Sequence, residues 1–265
     1  MQIRIFPISY FLLMIGLLWA CSPSPTTQIQ SPEIDPFAHI SDLQARKVLI
    51  SSMEAMGGLA KWRSKKQLSF QKEYALLLEN GEVEASANQQ HRYSYEPNKI
   101  EIAWQTNDQQ HLLVQENGEI VKTIDGQIDS LASQSKLTNT ILSSTFVIDI
   151  PFKLLDPGAE IRYRGQESLE NGQQVEVIQA SYSPATHVNH STPDIWKLYM
   201  DKNSHKLVGY MVQHADHFSY VRNLSDTIVD GFTCVTERES YRVDSLRNIL
   251  YLRATYAYKN YQFRW

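Results

Sequence analysis

The sequence predicts an α+β fold built on one large antiparallel β-sheet of roughly ten strands, strongly curved or partly closed, with helices against one face. Three observations predict it. Apolar residues alternate with polar ones over most of the chain, Asn-Gly and Asp-Gly pairs join consecutive alternating runs, and helical apolar spacing occurs in only two stretches.

Residues 1–20 carry one basic residue, Arg4, then an apolar run from Tyr10 to Trp19, then the small Ala20. A run of about a dozen residues falls short of the ~20 that span a bilayer, so a signal peptide is expected here. Leu18-Trp19-Ala20-Cys21 resembles the lipobox of bacterial lipoproteins, although Trp19 is bulky for its place. That resemblance implies cleavage before Cys21 and attachment to its thiol of a diacylglyceryl group bearing palmitate-type chains. Residues 22–36 include Pro23, Pro25, Pro32 and Pro36 and little that could be buried, which reads as an extended tether. The expected organisation is thus signal peptide 1–20, lipidated cysteine and tether 21–37, and a single domain 38–265.

Ser41 is placed to cap a helix that carries Leu49, Ile50, Met53 and Met56 on one side and stops at Gly57-Gly58. From Gln67 the period changes to two. Leu68, Phe70, Tyr74 and Leu76 alternate with polar residues up to Asn80-Gly81, and a partner run from Val83 to Tyr95 ends at Pro97-Asn98. The same pattern recurs at Ile100, Ile102 and Trp104, at Leu112 and Val114 before Asn117-Gly118, and at Ile120 and Ile124 before Asp125-Gly126. Residues 127–144 show helical spacing through Leu131, Leu137, Ile141 and Leu142. Residues 146–158 are the most apolar piece after the leader and are expected to be buried or to line a cavity. Strands resume around Ile161, Val175, Trp196, Leu207, Phe218, Phe232 and Tyr241, and in the aromatic end from Tyr251 to Trp265.

The chain holds 25 Lys and Arg against 29 Asp and Glu; removing residues 1–20 leaves 24 against 29, so no basic footprint for nucleic acid exists. The two cysteines are Cys21 and Cys234. With Cys21 acylated no internal disulfide forms, and Cys234, among Phe232, Thr233 and Val235, reads as a buried small hydrophobe. Neither a Gly-x-Ser-x-Gly elbow nor a phosphate-binding glycine loop occurs, and no catalytic residue is assigned. Asp149, Asp156, Glu160 and Asp194 fall near strand ends and turns, where capping and solubility explain them. His187 and His190, and His214 and His217, form His-x-x-His pairs, but residues three apart on a strand face opposite ways, so no metal and no cofactor is expected.

The stretch from Pro151 to Gly158 (Pro-Phe-Lys-Leu-Leu-Asp-Pro-Gly), the downstream Trp196-Lys197-Leu198-Tyr199-Met200-Asp201-Lys202 with Leu207-Val208-Gly209, and the opening Met56-Gly57-Gly58-Leu59-Ala60-Lys61-Trp62 together resemble the LolA/LolB lipoprotein-carrier superfamily. The resemblance spans about residue 42 to the C-terminus. It implies an unclosed half-barrel with helices packed on the concave face and acyl chains bound between sheet and lid. Trp104, Phe146, Phe152 and Leu154 are the cavity candidates. The expected function is non-catalytic binding of a lipid or acyl chain by a protein held to the membrane through its N-terminal lipid. Its expected place is the periplasmic face of the outer membrane, where lipoprotein sorting or reception would fit, with no protein partner assigned. Two rivals remain: an interaction module whose concave face is filled by its own side chains, and a hydrolase or metal enzyme whose site a single sequence does not display.

Overall fold

The computed structural model describes residues 35–182 and 194–265. The expected signal peptide, Cys21, most of the tether, and the pair His187 and His190 lie outside the described residues.

The first helix, α1 (Leu43–Ala55), buries Ala45, Val48, Leu49, Ser52 and Met53. Its cap is Asp42 and not Ser41: the carboxylate accepts from Gln44 N at 3.1 Å and Ala45 N at 3.0 Å. The other oxygen accepts from the backbone N of Tyr163 at 2.8 Å, so one side chain both starts the helix and ties it to a strand far away in sequence. At the far end, Thr233 Oγ1 donates to the carbonyl of Ala55 at 3.0 Å, satisfying a terminal acceptor of α1. Gly57 follows at φ 121°, and a Cβ there would meet the Phe232 ring at 2.2 Å, so both the backbone and the close approach demand glycine. A short helix α2 (Leu59–Ser64) brings Trp62 against the sheet.

Six strands then unfold outward as hairpins: β1 (Gln67–Leu77), β2 (Val83–Ser94), β3 (Lys99–Thr106), β4 (Gln109–Glu116), β5 (Glu119–Ile124) and β6 (Gln127–Ile128). Positive φ at Asn117 and Gly118, and at Asp125 and Gly126, gives the tight turns that the sequence pairs announced. Helix α3 (Gln134–Asp149) and a 3₁₀ turn (Phe152–Leu155) follow. The chain next reaches the opposite edge and returns strand by strand through β7 (Ala159–Ser168), β8 (Gln174–Tyr182), β9 (Ile195–Asp201), β10 (Leu207–Gln213), β11 (Phe218–Val229), β12 (Phe232–Val243) and β13 (Ile249–Arg264).

The last strand pairs with the first, so the sheet order is β6-β5-β4-β3-β2-β1-β13-β12-β11-β10-β9-β8-β7, antiparallel throughout, with β6 and β7 as free edges. Among the described residues the sheet is therefore one curved, unclosed antiparallel array of 13 strands. The sequence suggested roughly ten, and β6, only Gln127 and Ile128, is too short to show a readable period. The helix expected over 127–144 begins only at Gln134, since residues 127–128 pair with β5; its last turn absorbs the apolar Phe146 to Asp149.

Both main helices sit on one face. Helix α1 and the 3₁₀ turn close a core with Ile178, Ala180, Leu198, Met200 and Val212 of β8 to β10. Helix α3 sets Leu137 and Ile141 on Ile102 and Leu113 of β3 and β4, while Ile148 reaches the cluster of Leu68, Phe70, Tyr93 and Tyr258. Each such large apolar side chain contributes about 1.5–3 kcal/mol by leaving water.

Candidate functional site

Two recesses open where α3 and the 3₁₀ turn leave the sheet incompletely covered. One, of 150 Å³, lies beneath α3 between Tyr93 and Ile100 on the strands and Ile141, Leu142 and Phe146 on the helix. The other, of 260 Å³, is walled by Leu59, Trp62, Lys65 and Phe152. They share Tyr95, Asp149 and Lys153, which places polar groups at the junction of the two spaces.

The junction is electrostatically unusual. Lys65 is 5% exposed, with its Nζ 3.3 Å from the centroid of the Trp62 ring and 3.9 Å from that of Tyr95. Burial lowers its pKa to about 8 against the opposing pull of Asp149. Asp149 is 4% exposed; burial pushes its carboxyl up, and Lys65 and Lys153 oppose the shift. Tyr95 donates to Asp149 Oδ2 at 3.4 Å, whereas Oδ1 is buried with no hydrogen-bond partner. Asp149 is thus no capping or solubilising residue, as its place in the sequence suggested, but a buried acid facing a recess. Lys153 is held 3.0 Å from Asp156, at the rim.

Of the four cavity candidates, two line these recesses, one in each. Phe146 lines the first recess and packs on Trp196 with ring centroids 4.5 Å apart. Phe152 lines the second and stacks on Trp62 at 4.3 Å with 5° between the planes. Leu154 is fully buried in the α1 core and Trp104 stacks on His111 at 5.0 Å, so neither lines these recesses. Lys65, Tyr95 and Asp149 escaped sequence reasoning; the signal available was an acid embedded in the apolar run from Phe146 to Ile150.

His214 and His217 are not held apart as an extended strand would hold them. They fall in the turn between β10 and β11, with His214 N donating to His217 O at 2.9 Å and ring centroids 4.3 Å apart. His214 Nδ1 lies 3.0 Å from Asp194 Oδ2, and His217 Nδ1 2.6 Å from Asp216 Oδ1. Among the described residues no group of three His, Cys, Asp or Glu is placed to hold a metal ion. Cys234 is buried, and burial pushes its thiol up to about 12.

No protein-family model and no curated protein matches the chain. Among solved structures, a LolA superfamily protein from Nitrosomonas europaea superposes with a TM-score of 0.55 over 83% of this chain and 93% of that one, at 7% identity. A DUF1329 family protein from Desulfovibrio piger matches at TM-score 0.47 and 9% identity over 83% and 92% of the two chains. The lipoprotein LppX of Mycobacterium tuberculosis matches at 0.30 and 14% over 66% and 90%. The last two similarities are too low to carry an argument. At 7% identity the first speaks to architecture alone: the chain, with its open sheet and one-sided helices, shares the fold of that protein.

Proposed function

We propose that the protein is a membrane-tethered lipoprotein of the cell envelope that binds an acyl chain between α3 and the sheet without transforming it. The observation that carries this reading is the pair of adjoining recesses under α3 and the 3₁₀ turn, whose walls mix apolar and aromatic side chains with polar ones and which meet at Tyr95, Asp149 and Lys153. Joined, they reach the lower part of the range for small-ligand pockets, roughly 300–1,000 Å³. Each ligand methylene buried there would contribute about 0.8 kcal/mol, enough for affinity from a chain alone. The fold shared with a LolA superfamily protein supports the same reading. The lipobox at Cys21 supports tethering, and Ser22 after it, with no acidic residue in the next several, fits outer-membrane sorting. A domain anchored in this way would receive or retain cargo at one membrane rather than shuttle it.

Native mass spectrometry of the full chain, together with quenching of Trp62 by a brominated fatty acid, tests the binding. A co-purifying amphiphile and quenching that the Trp62→Phe variant lacks are expected; absence of both sinks the reading. For the tether, incorporation of labelled palmitate that Cys21→Ser abolishes is expected.

A further inference from the structure

On the same helix-bearing face, two cations stand on either side of β13 with no carboxylate opposite them. Lys72 on β1 pairs in register with Tyr258, and Arg238 on β12 pairs with Tyr256, one inward position further along β13. Lys72 Nζ lies 5.3 Å from the ring centroids of both Tyr74 and Tyr256. Arg238 is 4% exposed; its Nε donates to Asn223 Oδ1 at 2.8 Å, its Nη1 to Tyr258 Oη at 3.5 Å, and its Cζ sits 5.2 Å from the Tyr258 ring centroid. Among the described residues the groups in contact with these two cations are neutral.

The neighbouring acids point away. Strand alternation sends Glu237 and Glu239, on either side of Arg238, to the opposite face, where Glu237 accepts from Ser225 and Glu239 from Tyr241. Glu73, next to Lys72, pairs there with Lys259 at 2.9 Å. A bulge strengthens the arrangement: Ser69 pairs with Gln262 and Gln71 with Lys259, so Asn260 (φ 56°) is an extra residue. It lets Tyr258 and Tyr261 face the same side.

Burying a cation without a counter-charge is among the most unfavourable arrangements in a protein interior, and two side by side repel. Burial lowers the Lys72 pKa and Arg238 lowers it further, although Tyr258 opposes both. Beside them His91, hydrogen-bonded to Tyr93 and Gln89, is driven down to about 3 by burial and by Lys72, so it is neutral. Lys72 nonetheless keeps part of its surface open to solvent, and Arg238 lines a small space of 20 Å³ together with Trp62 and Phe152, two walls of the second recess.

We propose that Lys72 and Arg238 bind the anionic head group, carboxylate or phosphate, of an amphiphile whose chain is directed along the helix-bearing face toward Trp62 and Phe152. The assignment rests on the acyl-binding reading and narrows it to acidic amphiphiles over neutral ones. Aromatic rings hold the two cations in place, and the ligand supplies the missing charge.

The test is competition binding on the full chain in phosphatidylcholine nanodiscs, using dodecanoate, dodecyl phosphate, methyl dodecanoate and inorganic phosphate. Wild type should bind the two anionic amphiphiles at least about tenfold more tightly than the ester. Lys72→Met and Arg238→Gln should each bring that ratio close to one, whereas Arg238→Lys should keep most of the preference. Equal binding of acid and ester by wild type, or a ratio that neither variant alters, overturns the head-group assignment and leaves the acyl reading standing. Inorganic phosphate competing as well as dodecyl phosphate overturns it in favour of a free-anion site. If neither dodecanoate nor its ester binds, the acyl reading falls and takes this one with it.

Discussion

The two arms of the sheet are built on different principles. In β8 to β10 consecutive residues are buried: Val177 and Ile178, Leu198 and Tyr199, Met211 and Val212, so both faces are covered. One face lies under α1; the other is a separate cluster of Val175, Val177, Tyr199, Met211 and Tyr220. Arg247 closes that second cluster, with its guanidinium 5.1 Å from the ring centroid of Tyr199 and 5.6 Å from that of Tyr220, held by Glu167 and Glu170 at 2.9 Å each. In β2 and β3, by contrast, Tyr93 and Ile102 are buried while Arg92 and Glu101 face solvent with an ion contact of 3.7 Å. This arm has one core face, and its cover, α3, leaves gaps. The difference teaches where each property resides. The two-faced arm holds the fold, and the one-faced arm, with its seam at β1 and β13, carries the recesses and the buried charges.

The sharpest way to break this comparison is to truncate one side chain in each arm. Leu198→Ala, in the filled core under α1, is expected to cost about 2–5 kcal/mol, because its close-packed neighbours cannot collapse on the space left. Leu142→Ala, on the recess wall and only partly buried, should cost clearly less. Denaturant midpoints of both variants decide the matter; equal losses would mean that the two arms are packed alike.

This division was half legible in the sequence. The near-continuous apolar run from Ile195 to Met200 announces a strand buried on both sides, and the alternation through Leu68, Phe70 and Tyr74 announces one buried on a single side. Asn-Gly and Asp-Gly pairs mark the hairpins for the same local reason, since φ above zero is demanded at those positions. Asp149, Lys72 and Arg238 were not legible. Alternation places Lys72 inward, but whether an inward charge meets a counter-charge depends on strands that arrive from the other end of the chain, and β13 brings a tyrosine. The candidates Trp104 and Leu154 failed as recess residues for a related reason. Apolarity predicts burial, yet a buried residue lines a space only where its cover falls short.

A smaller effect sharpens the view of the recess. With the pKa of Lys65 lowered to about 8 and its unfolded value near 10.4, the unfolded chain binds more protons than the folded one between those values. The Lys65 contribution should therefore rise with pH from 8 to about 10, at most about 1.4 kcal/mol per pH unit for one proton. It runs against an opposing fall as tyrosines of the unfolded chain ionise ahead of their buried folded counterparts, so it is read as the difference between wild type and Lys65→Met. The same slope in wild type and variant would mean that Lys65 is not the group responsible.

The smallest expected effect concerns the tie between α1 and the filled arm. Asp42→Ala removes the helix cap and the contact to Tyr163 N, and should cost about 1 kcal/mol, with Asp42→Asn losing less. Backbone donors from Ala45 and Tyr163 hold the Asp42 carboxyl below its ordinary range. Its contribution is then fully present above the unfolded value near 3.9 and is lost as pH falls through the folded value. Acid unfolding of wild type and Asp42→Ala should accordingly converge below pH 4 and separate above it. If the two curves stay parallel down to the lowest pH, the carboxylate is not what joins α1 to β7, and the stability of the two-faced arm must come from its apolar packing alone.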